Sequence, residues 1–398
     1  MTLKSLPNGF ARACATISLL LCPLSAQQPK APAIALMDAT EAVQWQNWTR
    51  DLGWQVIVPV LPPSGVASPN IDARLQALAA AVDASVKNGS VDPARVYIAG
   101  RGDSAATVFY AISRMPDLWA AGAALGGSPK MALDTNRVFA ANFTNVPVMW
   151  LSGSEGKPLA DRLKEAKLNL EWQPVSGGAN AAGVIQWLGQ HKREDFPLAI
   201  DCETNSPTFA SCYWIQMTKF DPAERNDVLD STRIAGGNGA ALDVGGFAFK
   251  TDEPGPGVLV TLPEKYSGPL KTGDRLVALD GKPLADARQF VDWLEKITEE
   301  RPVTVTVQRG KDRIRLETRV ILPRREGGNS ARVEAQYLPA DKEIQIVSRT
   351  VTEMRVTIPP QWIPGTLLWN GLTLEDLKEA GCWTLSMQKE LLHAEKCK

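Results

Sequence analysis

Residues 95–110, RVYIAGRGDSAATVFY, decide how the chain is read. The apolar run Val96–Ala99 meets a glycine turn at Gly100 and then an alanine-rich stretch with helical spacing. Strand, sharp turn and helix in that order have the local shape of a G-x-S-x-G elbow, whose central serine is held out to attack an acyl group. Here Gly102 stands at the centre, with Gly100 two residues before it and Ser104 two residues after. The same letters contain Arg-Gly-Asp-Ser, but an adhesion loop needs a mobile tip, and this segment joins a buried strand to a packed helix.

On both sides of the elbow, from about 33 to 200, apolar runs alternate with helical segments. The runs include AIALMD, WQVIVPV, LWAAGAAL, VPVMWLSG and LNLEWQPV; the helices include IDARLQALAAAVDASV, PLADRLKEA and AAGVIQWLGQHK. Near-continuous apolar strands separated by helices predict a parallel sheet covered on both faces. After REDFP the texture changes. LAIDCETNSPTFASCYWIQMTKFD and ARVEAQYLPADKEIQIVSRTVTEMRVTIP alternate with period two, predicting half-buried antiparallel strands. Between them, residues 243–322 read as short strands, the strand RLVALDG, the helix ADARQFVDWLEKI, and a hairpin turning at Gly310–Lys311.

The 398 residues carry 43 basic and 44 acidic side chains with no basic block, so neither nucleic acid nor an anionic membrane is an expected partner. Residues 1–26 have a positive start, an apolar run from Ala13 to Leu21 and a small-residue cleavage site at Ala26. They predict a signal peptide, and hence an exported protein, periplasmic or extracellular, with no membrane span once the signal is removed. Cys202, Cys212, Cys382 and Cys397 then remain, with three possible pairings. A Cys202–Cys212 bridge would close a hairpin, and Cys382–Cys397 would tie down a C-terminal tail, read as a helix around His393. With two histidines in all and no C-x-x-C, no metal site and no cofactor is expected. Trp150, Trp187, Trp214 and Trp293 fall inside strands or amphipathic helices and read as packing residues rather than a sugar platform.

Two resemblances follow. DPARVYIAGRGDSAA, MPDLWAAGAALGGSP, VPVMWLSGSEG and WLGQHKREDFP, taken together, resemble the secreted esterase and peptidase-like branches of the α/β-hydrolase superfamily. SGPLKTGDRLVALDGKPL, followed by FVDWLEKI and VTVTVQRGKDRIRLETRVIL, resembles a PDZ domain of the bacterial periplasmic kind. The expected fold class is therefore α/β plus β: an α/β-hydrolase-like parallel sheet domain (33–197), then a β-sandwich (198–242 and 323–390) with an inserted PDZ-like domain (243–322).

The hydrolase resemblance implies a serine, an acid and a histidine at successive strand ends. The serine position holds Gly102. The acid position falls on Glu155 or Gly156, and the histidine loop, 176–183, contains no histidine. A serine needs a base to take its proton, so the expected catalytic set is none, with Gly102, Glu155 and Gly156 as vestigial positions. Glycine is the easy replacement where the backbone is strained. The competing reading is an active serine esterase or peptidase-like hydrolase with a displaced set, Ser104 or Ser176 with Glu155 and His191. A third is a vestigial pocket whose elbow amides still hold an anion. The PDZ resemblance implies strand addition of a partner's C-terminal peptide. VGGFAF would supply the groove: Gly245 and Gly246 presenting amides, with Phe247, Ala248 and Phe249 along the strand. The overall expectation is an exported multidomain binding or scaffold protein whose partners are C-terminal peptides of other exported proteins.

Overall fold

A computed structural model describes residues 30–59, 70–175, 180–221, 231–234, 239–297, 299–322, 330–388 and 391–397. The expected signal peptide and Ser176 lie outside the described residues.

Six strands, β1 (Ala31–Leu36), β2 (Gln55–Ile57), β3 (Val91–Arg101), β4 (Ala121–Leu125), β5 (Val148–Ser152) and β6 (Leu170–Pro174), form one parallel sheet. Their order is β2-β1-β3-β4-β5-β6. Helices α1 (Ala42–Thr49), α2 (Ile71–Lys87), α3 (Ala105–Arg114), α4 (Lys130–Leu133), α5 (Lys157–Glu165) and α6 (Ala181–Gly189) lie between or after the strands. β4 and β5 are buried at every position, as are β1 from Ala33 onward and β3 from Val96 to Gly100, because both faces of the sheet are covered there. Ala33, Ala35, Val96 and Ile98 point into a core with Leu75 and Leu78 of α2 and Val108 and Ile112 of α3. Their neighbours Ile34, Leu36, Tyr97 and Ala99 point the other way, against Trp45 of α1 and Val184 and Leu188 of α6. From β1 the chain first steps outward to β2 and then crosses to β3 on the other side. Such a reversal opens a crevice at the carboxyl ends of the strands, between β1 and β3.

The rest of the chain is β-rich. Strands β7 (Ala199–Thr204), β8 (Ser211–Cys212) and β9 (Ile215–Phe220) come first. A separate sheet follows, built from β10 (Ala241–Leu242), β11 (Val258–Leu259), β12 (Arg275–Leu279), β13 (Lys282–Pro283), β14 (Arg301–Arg309) and β15 (Asp312–Ile321), with helix α7 (Ala287–Glu295). Then come β16 (Ala331–Leu338), β17 (Glu343–Arg349), β18 (Val351–Ile358), β19 (Gly365–Trp369), β20 (Leu372–Leu377), β21 (Gly381–Gln388) and β22 (Leu391–Lys396).

The flanking strands form two five-stranded sheets, β20-β19-β17-β16-β7 and β22-β21-β18-β9-β8. Each sheet pairs strands from before the inserted sheet with strands after it. β7 zips to β16 from Ala199↔Gln336 to Thr204↔Ala331, and β9 pairs with β18. Val333, Ile346 and Trp369 of the first sheet share one core with Met217, Met354 and Leu385 of the second. Two expected details change. Cys202 is on β7 and Cys212 on β8, in different sheets, so their bridge joins the two sheets instead of closing a hairpin. The tail around His393 is strand β22, paired with β21 and fastened by Cys382–Cys397, because its alternate residues answer β21 across the ladder.

The parallel sheet and the β-sandwich meet at a polar node. Asn142 receives a hydrogen bond from the Glu203 N–H (2.7 Å) and returns one from its amide to the Glu203 carbonyl (2.8 Å). The buried Glu203 carboxylate accepts from Ser231, Thr232 and Ser330.

Candidate functional sites

The elbow is formed as the sequence implies. β3 ends at Arg101, a single 3-10 turn spans Gly102–Ser104, and α3 starts at Ala105. Gly102 has φ +54°, a left-handed conformation, and no heavy atom lies within 4 Å of where its Cβ would be. A side chain there would stand in open space at the crevice, as a nucleophile's must. The turn is tight around it. A Cβ on Gly100 would lie 2.2 Å from the Ser104 carbonyl oxygen, and one on Gly127, after β4, 1.8 Å from the Gly102 carbonyl oxygen.

The site also contains a residue not singled out from the sequence. Glu41, between β1 and α1, reaches the elbow with its carboxylate. Oε1 accepts the Arg101 backbone N–H (3.2 Å), Oε2 accepts the Trp45 indole N–H (3.2 Å), and the Ser104 side chain is a third partner. Burial pushes the Glu41 carboxyl above the ordinary carboxylate range, outweighing these donors. Arg101 in turn lies over the Trp48 ring, 5.3 Å from its centroid. Ser104 thus faces a carboxylate. The only signal in the sequence was an acidic residue in the loop after the first strand, the neighbourhood from which a crevice at a strand-order reversal is lined.

The other predicted residues are not gathered here. Glu155 sits in the turn after β5, exposed, its carboxylate folded over Gly153. Gly156 has no room for a side chain unless Ser152 turns away, since a Cβ would lie 2.2 Å from the Ser152 hydroxyl, which accepts the Trp172 indole N–H. His191 follows α6. Its carbonyl accepts the Tyr97 hydroxyl (2.9 Å), its ring packs edge-on against Trp187 (centroids 4.4 Å), and Arg193, two residues on, donates to the Ala94 carbonyl. Those contacts place it beside residues 94–97 of β3, some five residues from Gly102, or about 16 Å along an extended strand. Burial lowers the His191 pKa, and its Nε2 has no hydrogen-bond partner. Loop residues 176–179 lie outside the described residues.

The second candidate site is on the inserted sheet. Ala248 pairs with Thr261 in both directions, N–H to carbonyl and carbonyl to N–H, each 2.8 Å. In an extended strand the neighbouring residues turn their backbone groups the opposite way. Phe247 and Phe249 therefore offer theirs to the open edge facing α7. Their rings converge on Phe290 of α7, with centroids 6.4 and 5.5 Å away. Gly245, at φ +81°, and Gly246 form the loop that leads in. The Tyr266 hydroxyl holds this loop, donating to the Val244 carbonyl and accepting from the Leu270 N–H. Beneath it, Arg309 holds Asp274 through two hydrogen bonds (2.7 and 2.9 Å) and keeps its carboxyl below the usual range.

A bridged residue flanked by outward backbone groups, a glycine loop and an apolar side chain on the nearby helix are the parts from which a strand-addition groove is built. Residues 246–320 match the PDZ domain family, so the chain contains a PDZ domain. No curated protein matches the chain. Among solved structures, similarity extends to a thermostable esterase (16% identity, 42% of this chain and 56% of that one, TM-score 0.33). It extends also to a phospholipase/carboxylesterase from Dyadobacter fermentans (16%, 41% and 90%, TM-score 0.31) and to Arabidopsis thaliana SOBER1 (17%, 40% and 98%, TM-score 0.32). The chain spans little more than half the length of the first of these. The six parallel strands with helices on both faces form an α/β sheet domain.

Proposed function

We propose that the chain is an exported binding protein in which an α/β-hydrolase-like domain has lost its chemistry and the PDZ domain takes the C-terminal peptide of a partner. The observation that carries the first half is the distance between Gly102 and His191. The elbow presents no nucleophile, and the one histidine of this domain sits toward the opposite end of β3, with its carbonyl tied to Tyr97. A hydroxyl placed at the elbow would have no imidazole to take its proton. Ser104, Glu155 and His191 have different partners, in Glu41, Gly153 and Trp187, which speaks against the displaced set.

The open edge at Phe247 and Phe249 supports the second half. Its backbone groups give affinity that is indifferent to sequence, and the phenylalanine wall favours an apolar last side chain. The domain limits we assign are 33–197, 198–242 with 323–390, and 243–322. Export is supported by the pairs Cys202–Cys212 and Cys382–Cys397, which suit an oxidising compartment. No helix among the described residues is long and apolar enough to cross a membrane.

The test is binding of fluorescent peptides ending in valine, leucine or phenylalanine, each made with a free and an amidated C-terminus. Free carboxylates should bind and amidated ones should not. Equal binding of both forms, or of neither, contradicts the reading.

A further inference from the structure

Arg74 is on the first turn of α2 and only 4% exposed. One of its nitrogens, Nη2, donates to the Met37 carbonyl, while Nε and Nη1 are buried with no hydrogen-bond partner. Arg114, the other arginine buried to this degree among the described residues, by contrast reaches Asp72 at 3.8 Å and donates to Asn205 at 2.8 Å. The nearest acid in sequence, Asp72, is spent on Tyr110, Arg114 and Arg137. Burying a cation with unmet donors is expensive, and native proteins keep such a group where something pairs with it.

Its place in the fold indicates what that is. Leu36 is opposite Ala99 in the β1–β3 ladder, so Met37 is level with Gly100, at the mouth of the crevice beside the elbow. α2 and α3 pack on the same face of the sheet, and both helices begin at this end. Their unpaired N–H groups make the spot favourable to negative charge.

We propose that the crevice between β1 and β3 binds a small organic carboxylate, held by Arg74 between the first turns of α2 and α3. The ligand is a monoanion because the Glu41 carboxylate reaches the elbow, and Asp38 and Asp103 directly follow Met37 and Gly102 in the chain, so that a second charge would be repelled. The site gives the elbow a binding role that needs no nucleophile, and it is independent of the peptide groove.

Calorimetric titration of the mature chain with sodium butyrate, against sodium chloride at equal ionic strength, tests this. Butyrate should give saturable heat and raise the melting temperature, and the Nε–H resonance of Arg74 should shift along the same curve. Arg74→Met should weaken binding at least tenfold without lowering the melting temperature, since an apolar chain of similar length replaces unmet donors. Arg74→Lys should keep part of the affinity. If Arg74→Met does not fold, the wild-type resonance decides. The proposal is overturned by an Arg74 resonance unmoved at saturating butyrate, by undiminished binding in Arg74→Met, or by tighter binding of inorganic phosphate than of butyrate.

Discussion

A Cβ on Gly127 would lie 1.8 Å from the carbonyl oxygen of Gly102, whereas a Cβ on Gly102 would meet nothing within 4 Å. Two glycines in contact are thus held by different constraints, one by lack of space and the other by backbone conformation. Gly127→Ala should cost roughly 3 kcal/mol or more, because a backbone oxygen cannot swing aside. Gly102→Ser should cost only about 1 kcal/mol, the penalty of a left-handed φ on a residue with a side chain. Urea midpoints of the two variants measure the difference, and equal losses would show the elbow to be looser than described.

Glu41 makes stability at the elbow depend on pH. Its folded-state pKa is raised above the ordinary 4.5 by burial, so the folded state prefers the protonated form. The stabilisation from Glu41 is therefore complete below the unfolded pKa and is lost as pH rises through the folded one. Glu41→Gln cannot ionise. Its stability relative to the wild type should improve as pH climbs from below 4.5 into the neutral range, read from melting curves at a series of pH values. A difference that stays flat with pH would mean that the carboxyl titrates normally.

Cys202–Cys212 joins two sheets across a sequence separation of 10 residues. Closing a loop of that size stabilises by about 2–3 kcal/mol. Replacing both cysteines with alanine should lower the unfolding free energy of the β-sandwich by that amount and leave peptide binding by the PDZ domain unchanged. Loss of peptide binding in the double variant would tie the groove to the sandwich more tightly than their separate cores imply.

The groove is open to a direct substitution. Phe249 is half-buried and shares its wall with Phe290, which is fully buried. Phe249→Ala should weaken peptides with an apolar last residue about tenfold with little effect on folding, whereas Phe290→Ala should destabilise the domain by about 3–4 kcal/mol. Unchanged affinity in Phe249→Ala would place the peptide elsewhere.

What the sequence revealed was local. The 95–110 segment shows strand, turn and helix, and the Gly310–Lys311 turn shows its hairpin, because each signal lies within a few residues. Glu41 escaped because it lies 60 residues from the Arg101 N–H it accepts, and nothing local marks an acid after a strand as buried. Arg74 escaped for the same reason. Its charge suggests a helix surface, and only the packing of α2 puts it inside. Cys202 and Cys212 pair as their spacing suggests, but ten residues also suit a hairpin, and the sheet each strand joins is set by β16 and β18 more than a hundred residues away. The tail of β22 looked helical because its polar residues hide a pairing visible only beside β21.

The central claim, that this elbow holds no hydrolase chemistry, is tested most directly by hydrolysis of p-nitrophenyl butyrate by the wild type and Gly102→Ser side by side. Both should match the enzyme-free rate, since the serine would gain a place but no base. Hydrolysis above that rate by either protein, lost on treatment with a fluorophosphonate, would contradict the account.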